Sequence, residues 1–451
     1  MRLLLIFLLF FLSFPLLSQT INEEGKADSI YSSDSTPNIR GTVGNQTLAQ
    51  DKFRSFLNYL FFIPRKTIDG ILYSSVYGAR MIWGAREIER ADEYFLKTKR
   101  KLVWYPIVVL DSDLRINVGA SFLYRRKRAG LSFKGDYTSR NKWESELNLT
   151  YLISKRYGVW KIKTGGIIEE DDDRKFYGVG PNPMRDERSF FVANPQNEYG
   201  IYSRRRNKIE MIFGYRPAHH WEFFLSTQYQ ERKIRNEGYS DPLLGEIFLL
   251  TKLPGAAHDT KQWYNEFAVR FDSRKYRGRI SKGMMTESFI GLSTGQGEDS
   301  SKFVRAGFDI AAFIPILKKT RFLVPRIMFE MIDNVRDQVP IPFVEYPRMM
   351  KFRGVGSNKT YRTDKLNFLP SIEYAWPLSG NLSAHLFNER LIVGSKIDKM
   401  SIGDAVWAAG FGIDFHNIEE ELIRIELITS SDGYRVNVEL GLSNYIRRNV
   451  D

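Results

Sequence analysis

The chain has 451 residues, of which 43% are hydrophobic, 14% aromatic and 26% charged. This length suits two or three ordinary domains or one large closed sheet. The chain contains no cysteine, which excludes disulfide bonds and thiolate metal sites. The formal net charge of +13 is dispersed over short turns, which argues against a nucleic-acid partner and favours contact with anionic lipid surfaces.

The N-terminus predicts export. Arg2 precedes an apolar run at residues 3–17, and polar Gln19 and Thr20 follow it. This pattern predicts a secretory signal peptide at residues 1–18. A membrane anchor is the alternative, although a span needs about 20 apolar residues. The polar residues 19–50 predict a flexible linker.

Residues 51–98 predict an amphipathic helical segment. Phe53, Phe56, Leu57 and Leu60 recur at helical spacing, and Pro64 ends this first run. A second amphipathic run follows it. The segment could pack on a core, lie at the membrane interface or lie inside a barrel.

From about residue 104 to 446 the apolar residues recur at every second position. Clear examples are residues 263–272, 366–376, 423–427 and 436–442, within about sixteen such segments. Each segment therefore predicts a strand with one apolar and one polar face.

Two further patterns concern the ends of these strands. Tight connections at residues 217–220, 315–319, 377–380 and 416–419 alternate with long ones at 235–261, 333–363 and 394–404. Aromatic residues stand near the segment ends, as in two interfacial girdles: Tyr124, Tyr137, Tyr151, Tyr215, Trp221, Tyr229, Trp263, Trp376, Trp407 and Tyr434.

These patterns predict an all-β fold. In hydrocarbon every backbone N–H and C=O must be paired, and a closed barrel leaves no free edge. We therefore expect an antiparallel transmembrane β-barrel of about sixteen strands in the bacterial outer membrane, with a short N-terminal helical segment. A secreted β-sandwich is the alternative, because it would show the same alternation.

Two motifs of common enzymes are absent from the sequence. It has no H-E-x-x-H and no phosphate-binding loop. An esterase-like barrel would need a Ser–His pair at the rim, and no spacing of Ser and His residues in the sequence predicts such a pair. The acidic run EEDDD at residues 169–173 lacks the ligand spacing of a calcium loop and predicts a solvated loop. We expect no enzymatic activity, no cofactor and no metal.

The stretch KFRGVG at residues 351–356 follows a long loop and precedes the fifth strand from the C-terminal end. Its Phe352, Arg353 and Gly354 resemble the loop motif of the bacterial surface antigen superfamily, the BamA/TamA-like outer-membrane assembly factors. In that family the sixth outer loop folds back into the lumen, and its arginine pairs with an acidic residue on the inner wall. The resemblance implies that Glu389, in FNERL, is the partner of Arg353.

Three further segments resemble this family, and together the resemblance covers roughly residues 105–445. Their matching residues are Phe176, Tyr177, Gly178 and Gly180 in KFYGVGPN, Asp272 and Arg274 in FDSRKYRGRISKG, and Gly410, Gly412 and Phe415 in GFGIDF. The region before the barrel fits none of the polypeptide-transport-associated (POTRA) modules of the assembly factors. The resemblance therefore implies a barrel-only member.

For the function, the resemblance implies insertion or transport of proteins, or lipids, at the outer membrane. The mechanism would use a weak seam between the first and last strands, at about residues 115–124 and 434–445. The implied partners are outer-membrane lipids and unfolded outer-membrane polypeptides or periplasmic factors. The alternative is a plugged or narrow pore, or a structural surface antigen without insertase activity, with the helical segment in or under the lumen.

Overall fold

The structure is a computed structural model of the chain. It describes residues 102–110, 116–126, 128–138, 142–155, 158–193, 195, 197–218, 220–238, 240–274, 282–297, 301–316, 321–335, 339–347, 352–354, 363–379, 382–416, 421–431 and 433–440. The predicted signal peptide, linker and helical segment at residues 1–18, 19–50 and 51–98 lie outside these ranges.

Within the described residues, sixteen strands form one antiparallel sheet, in which each strand pairs with its neighbours in sequence. They are β1 Leu102–Leu110, β2 Ile116–Arg126, β3 Ala129–Thr138, β4 Lys142–Lys155, β5 Gly158–Phe176, β6 Gly200–Ala218, β7 Trp221–Arg235, β8 Thr260–Asp272, β9 Gly283–Gly295, β10 Lys302–Ile316, β11 Arg321–Asn334, β12 Leu366–Pro377, β13 Leu382–Gly394, β14 Val406–His416, β15 Glu421–Ser430 and β16 Gly433–Leu440. The predicted all-β fold of about sixteen antiparallel strands is confirmed.

Helical structure in the described residues is short and lies in the connections. One α-helical turn, α1, occupies Leu244–Ile247. Single 3-10 turns lie at Pro183–Arg185, Glu187–Ser189, Phe343–Glu345, Ile397–Lys399 and Ile402–Asp404. Within the described residues, no helix is both long and apolar enough to cross a membrane.

The first strand lies earlier than expected. The predicted seam began at residues 115–124, but these overlap β2, and β1 precedes them with the sequence LVWYPIVVL. This run is apolar throughout, so it lacks the two-residue alternation that predicts a strand with one polar face. The strand that ends the sheet on this side is therefore β1.

The two faces of the sheet have opposite chemistry. In β8, Gln262, Tyr264 and Glu266 are buried, whereas Trp263 and Phe267 between them are exposed. The outward face carries exposed apolar side chains, among them Phe122, Phe133, Leu147, Ile209, Leu225, Leu292, Ile327, Ile372 and Leu427. The inward face carries buried charged ones, among them Glu169, Arg204, Arg206, Lys208, Glu266, Asp309, Arg326, Glu373, Asp414 and Arg424. A polar interior and an apolar exterior are the arrangement of a transmembrane barrel.

The connections differ in length between the two ends of the strands. At one end, short connections join β6 to β7, β10 to β11, β12 to β13 and β14 to β15. At the other end lie the long connections β5–β6, β7–β8, β11–β12 and β13–β14. We name these the short-turn end and the long-loop end. The connections named in the prediction match the structure, whereas β8–β9 is long at the short-turn end, and β3–β4 and β15–β16 are short at the long-loop end.

The aromatic residues divide between the two ends. Tyr124, Tyr151, Tyr215, Trp221 and Trp376 lie toward the short-turn end, and Tyr137, Tyr229, Trp263, Trp407 and Tyr434 toward the long-loop end. Two rows of this kind are the girdles that aromatic residues form at the membrane interfaces.

The sheet curves strongly. The backbone N–H of Gly180, just after β5, donates to the carbonyl of Thr363, just before β12, at 2.9 Å. In a flat sheet the seven interstrand spacings between these strands would measure about 34 Å. The four residues from Phe176 to Gly180 and the three from Thr363 to Leu366 reach only about 25 Å. The long-loop ends of β5 and β12 must therefore bend toward each other. Among the described strands, no ladder joins β1 to β16.

Candidate functional site

The candidate site lies where the β11–β12 loop meets the inner wall of β12–β15. Phe352 in this loop is 3% exposed, and it packs in an apolar cluster with Leu369, Phe387, Leu391, Val393, Val406, Ala408 and Ile428. This cluster gives the loop a hydrophobic anchor on the inner face. This loop is the sixth of the connections at the long-loop end. The strand that follows it, β12, is the fifth strand from the C-terminal end.

Arg353 contacts three carboxylates on three strands. Its Nε donates to Glu389 Oε2 on β13 at 3.1 Å, and its backbone N–H also donates to Glu389. Its Nη1 donates to Glu373 Oε2 on β12 at 3.1 Å and to Glu426 Oε1 on β15 at 3.0 Å. The guanidinium lies 3.5 Å from the centroid of the Phe387 ring, which adds a cation–π contact.

A second layer of charges supports these carboxylates. His385 lies 2.8 Å from Asp414 through Nδ1 and 3.0 Å from Glu426 through Nε2. Arg424 Nε lies 2.8 Å from Asp414. Both imidazole nitrogens face carboxylate oxygens, which accept hydrogen bonds, so this geometry fits the doubly protonated ring. Glu426 therefore links the Arg353 contact to His385 and its neighbours.

Glycines make room for this cluster. A Cβ on Gly412 would lie 2.3 Å from His385 Cε1, and one on Gly410 would lie 2.7 Å from the Phe387 ring. A Cβ on Gly354 would lie 2.6 Å from the Phe352 ring, and the carbonyl of Gly354 accepts a hydrogen bond from Ser430. Only glycine allows the backbone to come this close.

Among the residues that the sequence nominated, the structure brings Phe352, Arg353, Gly354, Glu389, Gly410 and Gly412 together. Phe415 lies on β14 but alternates with the inward-facing residues, so it takes no part in the cluster. Glu373 and Glu426 were not nominated. The alternation along β12 and β15 placed both residues on the polar face. Alternation alone does not predict which carboxylates of that face the loop contacts.

Two nominated residues lie at the opposite end of the sheet. Arg274, just after β8, donates to Asp272 through Nε at 3.0 Å and through Nη2 at 2.9 Å. Its guanidinium also lies over the ring of Phe313. The pair therefore fixes the start of the β8–β9 connection at the short-turn end, away from the Arg353 cluster.

The remaining nominated residues belong to contacts among the long loops. Phe176 packs with Phe248 of the β7–β8 loop and Phe343 of the β11–β12 loop. Gly178 and Gly180 have φ of 90° and 91°, which favours glycine, and Gly180 holds Thr363 as described above. Tyr177 is buried beside them.

An ion pair and a backbone hydrogen bond complete this loop assembly. Arg188 of the β5–β6 loop donates to both oxygens of Asp364, at 2.9 and 2.8 Å, and also binds Asp186. These hydrogen bonds, with that to Asp364 the strongest, raise the pKa of Arg188. Burial, together with the nearby Asp364, raises the pKa of Tyr346 to about 12. The backbone N–H of Phe343 donates to Pro254. We name this three-loop assembly the loop cap.

The acidic run at residues 169–173 is not a solvated loop, so that expectation is wrong. It lies on β5, where Glu169 is 2% exposed. Arg174, Arg204 and Arg206 approach its carboxylate at 2.7, 2.9 and 2.7 Å. Arginines on the neighbouring strand β6 thus neutralise the charge of a carboxylate in this run. By itself, such an acidic run is typical of a loop.

A Ser–His contact is also present, although no spacing nominated it. Ser383 Oγ lies 2.7 Å from His416 Nε2 on the neighbouring strand. Both side chains are buried at the short-turn end of the inner wall. The contact satisfies two polar groups of that wall, and the absence of enzymatic activity stays a prediction.

Comparison with known proteins shows likeness in fold. No family model matches the chain, and no curated protein matches it by sequence. The solved structure of BamA from Haemophilus ducreyi lacking POTRA domains 1–3 is similar, with a TM-score of 0.52 and 12% identity over 76% of this chain and 68% of that one. CdiB from Acinetobacter baumannii has a TM-score of 0.46 and 8% identity over 76% of this chain and 60% of that one.

The likeness to BamA covers 76% of the chain at a sequence identity that preserves fold but few side chains. The resemblance that the sequence indicated is confirmed at this level. The chain has the fold of the BamA-type β-barrel.

Proposed function

We propose that the chain is an outer-membrane β-barrel that assists the insertion or transport of proteins, or lipids, at that membrane. The observation that carries the proposal is the attachment of Arg353 to Glu373, Glu389 and Glu426. It fixes the β11–β12 loop to the wall segment that leads to β16, one border of the sheet. The apolar outward face and the two aromatic girdles support the membrane location.

The mechanism would use the borders of the sheet. A border strand presents unpaired N–H and C=O groups, and an incoming strand can pair with them. Among the described strands no ladder joins β1 to β16, so the mechanism places the seam between these two borders. Outer-membrane lipids and unfolded outer-membrane polypeptides or periplasmic factors are the proposed partners. Nucleic acid is not, because inner-wall arginines such as Arg204 and Arg206 are engaged by Glu169.

The test is to lock the seam. The chain has no cysteine of its own, so engineered pairs between β1 and β16 would be its only thiols. We expect oxidised pairs to block assembly of client barrels or growth of a strain that depends on the protein, and reductant to restore it. Pairs placed within the β6–β7 ladder, such as Ile209 with Tyr229, are the matched control. Normal growth and client assembly with a fully locked seam would reject the proposed mechanism.

The loop cap favours a second candidate, a plugged or narrow pore or a surface antigen without insertase activity. Contacts of Arg188 with Asp364 and of Gly180 with Thr363 join the β5–β6 and β11–β12 loops, and the hydrogen bond from Phe343 to Pro254 adds the β7–β8 loop. A cap of this kind would restrict passage of ions. Seam locking would leave such a pore functional, which separates the two candidates.

A further inference from the structure

The outward face of β13 carries two polar residues beside exposed apolar ones. Asn388 and Arg390 are exposed on the same face as Leu386, which is 49% exposed. Among the described residues, Arg390 takes part in no ion pair. It lies directly across from Trp407 of β14, in the aromatic row at the long-loop end.

An apolar groove adjoins this pair. Its volume is about 770 Å³, and Leu386, Leu427 and Val436 line it, with Ala409 and Gly410 in the middle. The outward positions of β14 alternate Trp407, Ala409, Phe411, so the small Ala409 leaves a depression between two large rings. Tyr434, at 91% exposure, stands at its side near the border of the sheet.

The strand register orders these groups along the membrane normal. Leu386, Phe411, Leu427 and Val436 face one another in a single row across four strands. Arg390 lies four residues beyond Leu386, which is about 13 Å along the strand toward the long loops and, at a strand tilt of about 40°, about 10 Å along the membrane normal. The guanidinium is therefore level with the headgroups, and the apolar row is level with the acyl chains.

An unpaired guanidinium on the lipid face is tolerated only near the interface. Its preferred partner there is a phosphate, which it can bind through two parallel hydrogen bonds. A lipid presents its phosphate and its acyl chain in the same order, and at the same levels, as Arg390 and the groove. This match favours a lipid over a protein partner.

We propose that the outer wall of β13–β16 is a binding site for an anionic, phosphate-bearing lipid. Arg390 binds the phosphate, Asn388 donates to the headgroup, and one acyl chain occupies the groove over Ala409. The inference rests on the proposed membrane location and is independent of the proposed assembly role.

Quenching of Trp407 by brominated lipids tests the proposal. The full chain is reconstituted in vesicles with dibrominated phosphatidylglycerol or dibrominated phosphatidylcholine, and the Trp407 signal is the difference from Trp407→Phe. One arginine near an anionic headgroup predicts about a fivefold preference for phosphatidylglycerol at this position. Arg390→Gln should abolish the preference. Arg205→Gln, an exposed outward arginine of β6, should preserve it.

Three outcomes would overturn the proposal: equal quenching by the two lipids, a preference that survives Arg390→Gln, or a Trp407 that neither lipid quenches. The last outcome would mean that protein, such as a second copy of the chain, covers the groove. Quenching of other outward tryptophans, such as Trp263, reports membrane insertion separately. A failure at Trp407 alone therefore leaves the membrane location standing.

Discussion

Arg353 receives its carboxylates from β12, β13 and β15, so one side chain ties the loop to three places on the wall. The sequence nominated Arg353 and Glu389 because a family motif has that spacing. Glu373 and Glu426 could not be nominated in the same way. Their contact depends on how far the loop tip enters the interior, and spacing along the chain does not encode that depth.

Replacing Arg353 with alanine should release the loop tip and leave the barrel folded. Breaking a fully buried ion pair costs about 3–5 kcal/mol, and a wet interior lowers this figure. Arg353→Ala leaves three carboxylates without their shared cation, so we expect chymotrypsin to cleave near Phe352 faster than in the native protein. Heat-dependent mobility on gels, which reports the folded barrel, should be unchanged.

Arg185→Ala, at an exposed arginine of the β5–β6 loop, is the matched control and should change neither readout. Arg353→Lys should give intermediate cleavage, because an ammonium keeps the charge but cannot reproduce the planar fork. An unchanged cleavage pattern in Arg353→Ala would contradict the assigned role of the loop tip.

At the scale of elements, the strand faces follow from the two-residue period, and this is why the sequence predicted them well. The prediction failed where the pattern was uniform. β1 is apolar throughout, and residues 169–173 are acidic throughout, so neither run alternates. The partner strand explains the acidic run, because Arg204 and Arg206 of β6 lie opposite it.

The pairing of β13 with β14 depends on glycine opposite a large ring. His385 is the register partner of Gly412. Gly412→Ala should push the imidazole off Glu426 and destabilise the folded barrel by about 1–3 kcal/mol, the usual cost of overpacking. Urea unfolding in lipid vesicles measures this loss.

Gly130→Ala, on β3, is the matched control, since the nearest atom to its Cβ would be 4.0 Å away. The double variant Gly412→Ala with His385→Ala should recover part of the loss that the steric conflict causes. Equal stability of Gly412→Ala and the native protein would show that the imidazole has room to move.

At the scale of the whole barrel, the loop cap predicts low ion conductance. Asp364→Asn removes the charge that Arg188 binds and should increase the open time in planar bilayers. Asp398→Asn, at an exposed residue of the β13–β14 loop, should not. Deleting residues 51–98 tests separately whether the predicted helical segment obstructs the lumen. A large, steady current through the native chain would contradict a closed cap.

Two attachments hold the β11–β12 loop: the ion pair of Asp364 with Arg188 of the β5–β6 loop, and the contacts of Arg353 with β12–β15. Asp364 lies two residues before β12, so pulling the long-loop ends of β5 and β12 apart strains its ion pair with Arg188 and leaves the Arg353 contacts intact. Pulling β1 away from β16 strains neither attachment, and among the described strands no ladder joins these two. We therefore expect the wall to resist lateral tension across the loop cap and to yield to it first between the first and last strands.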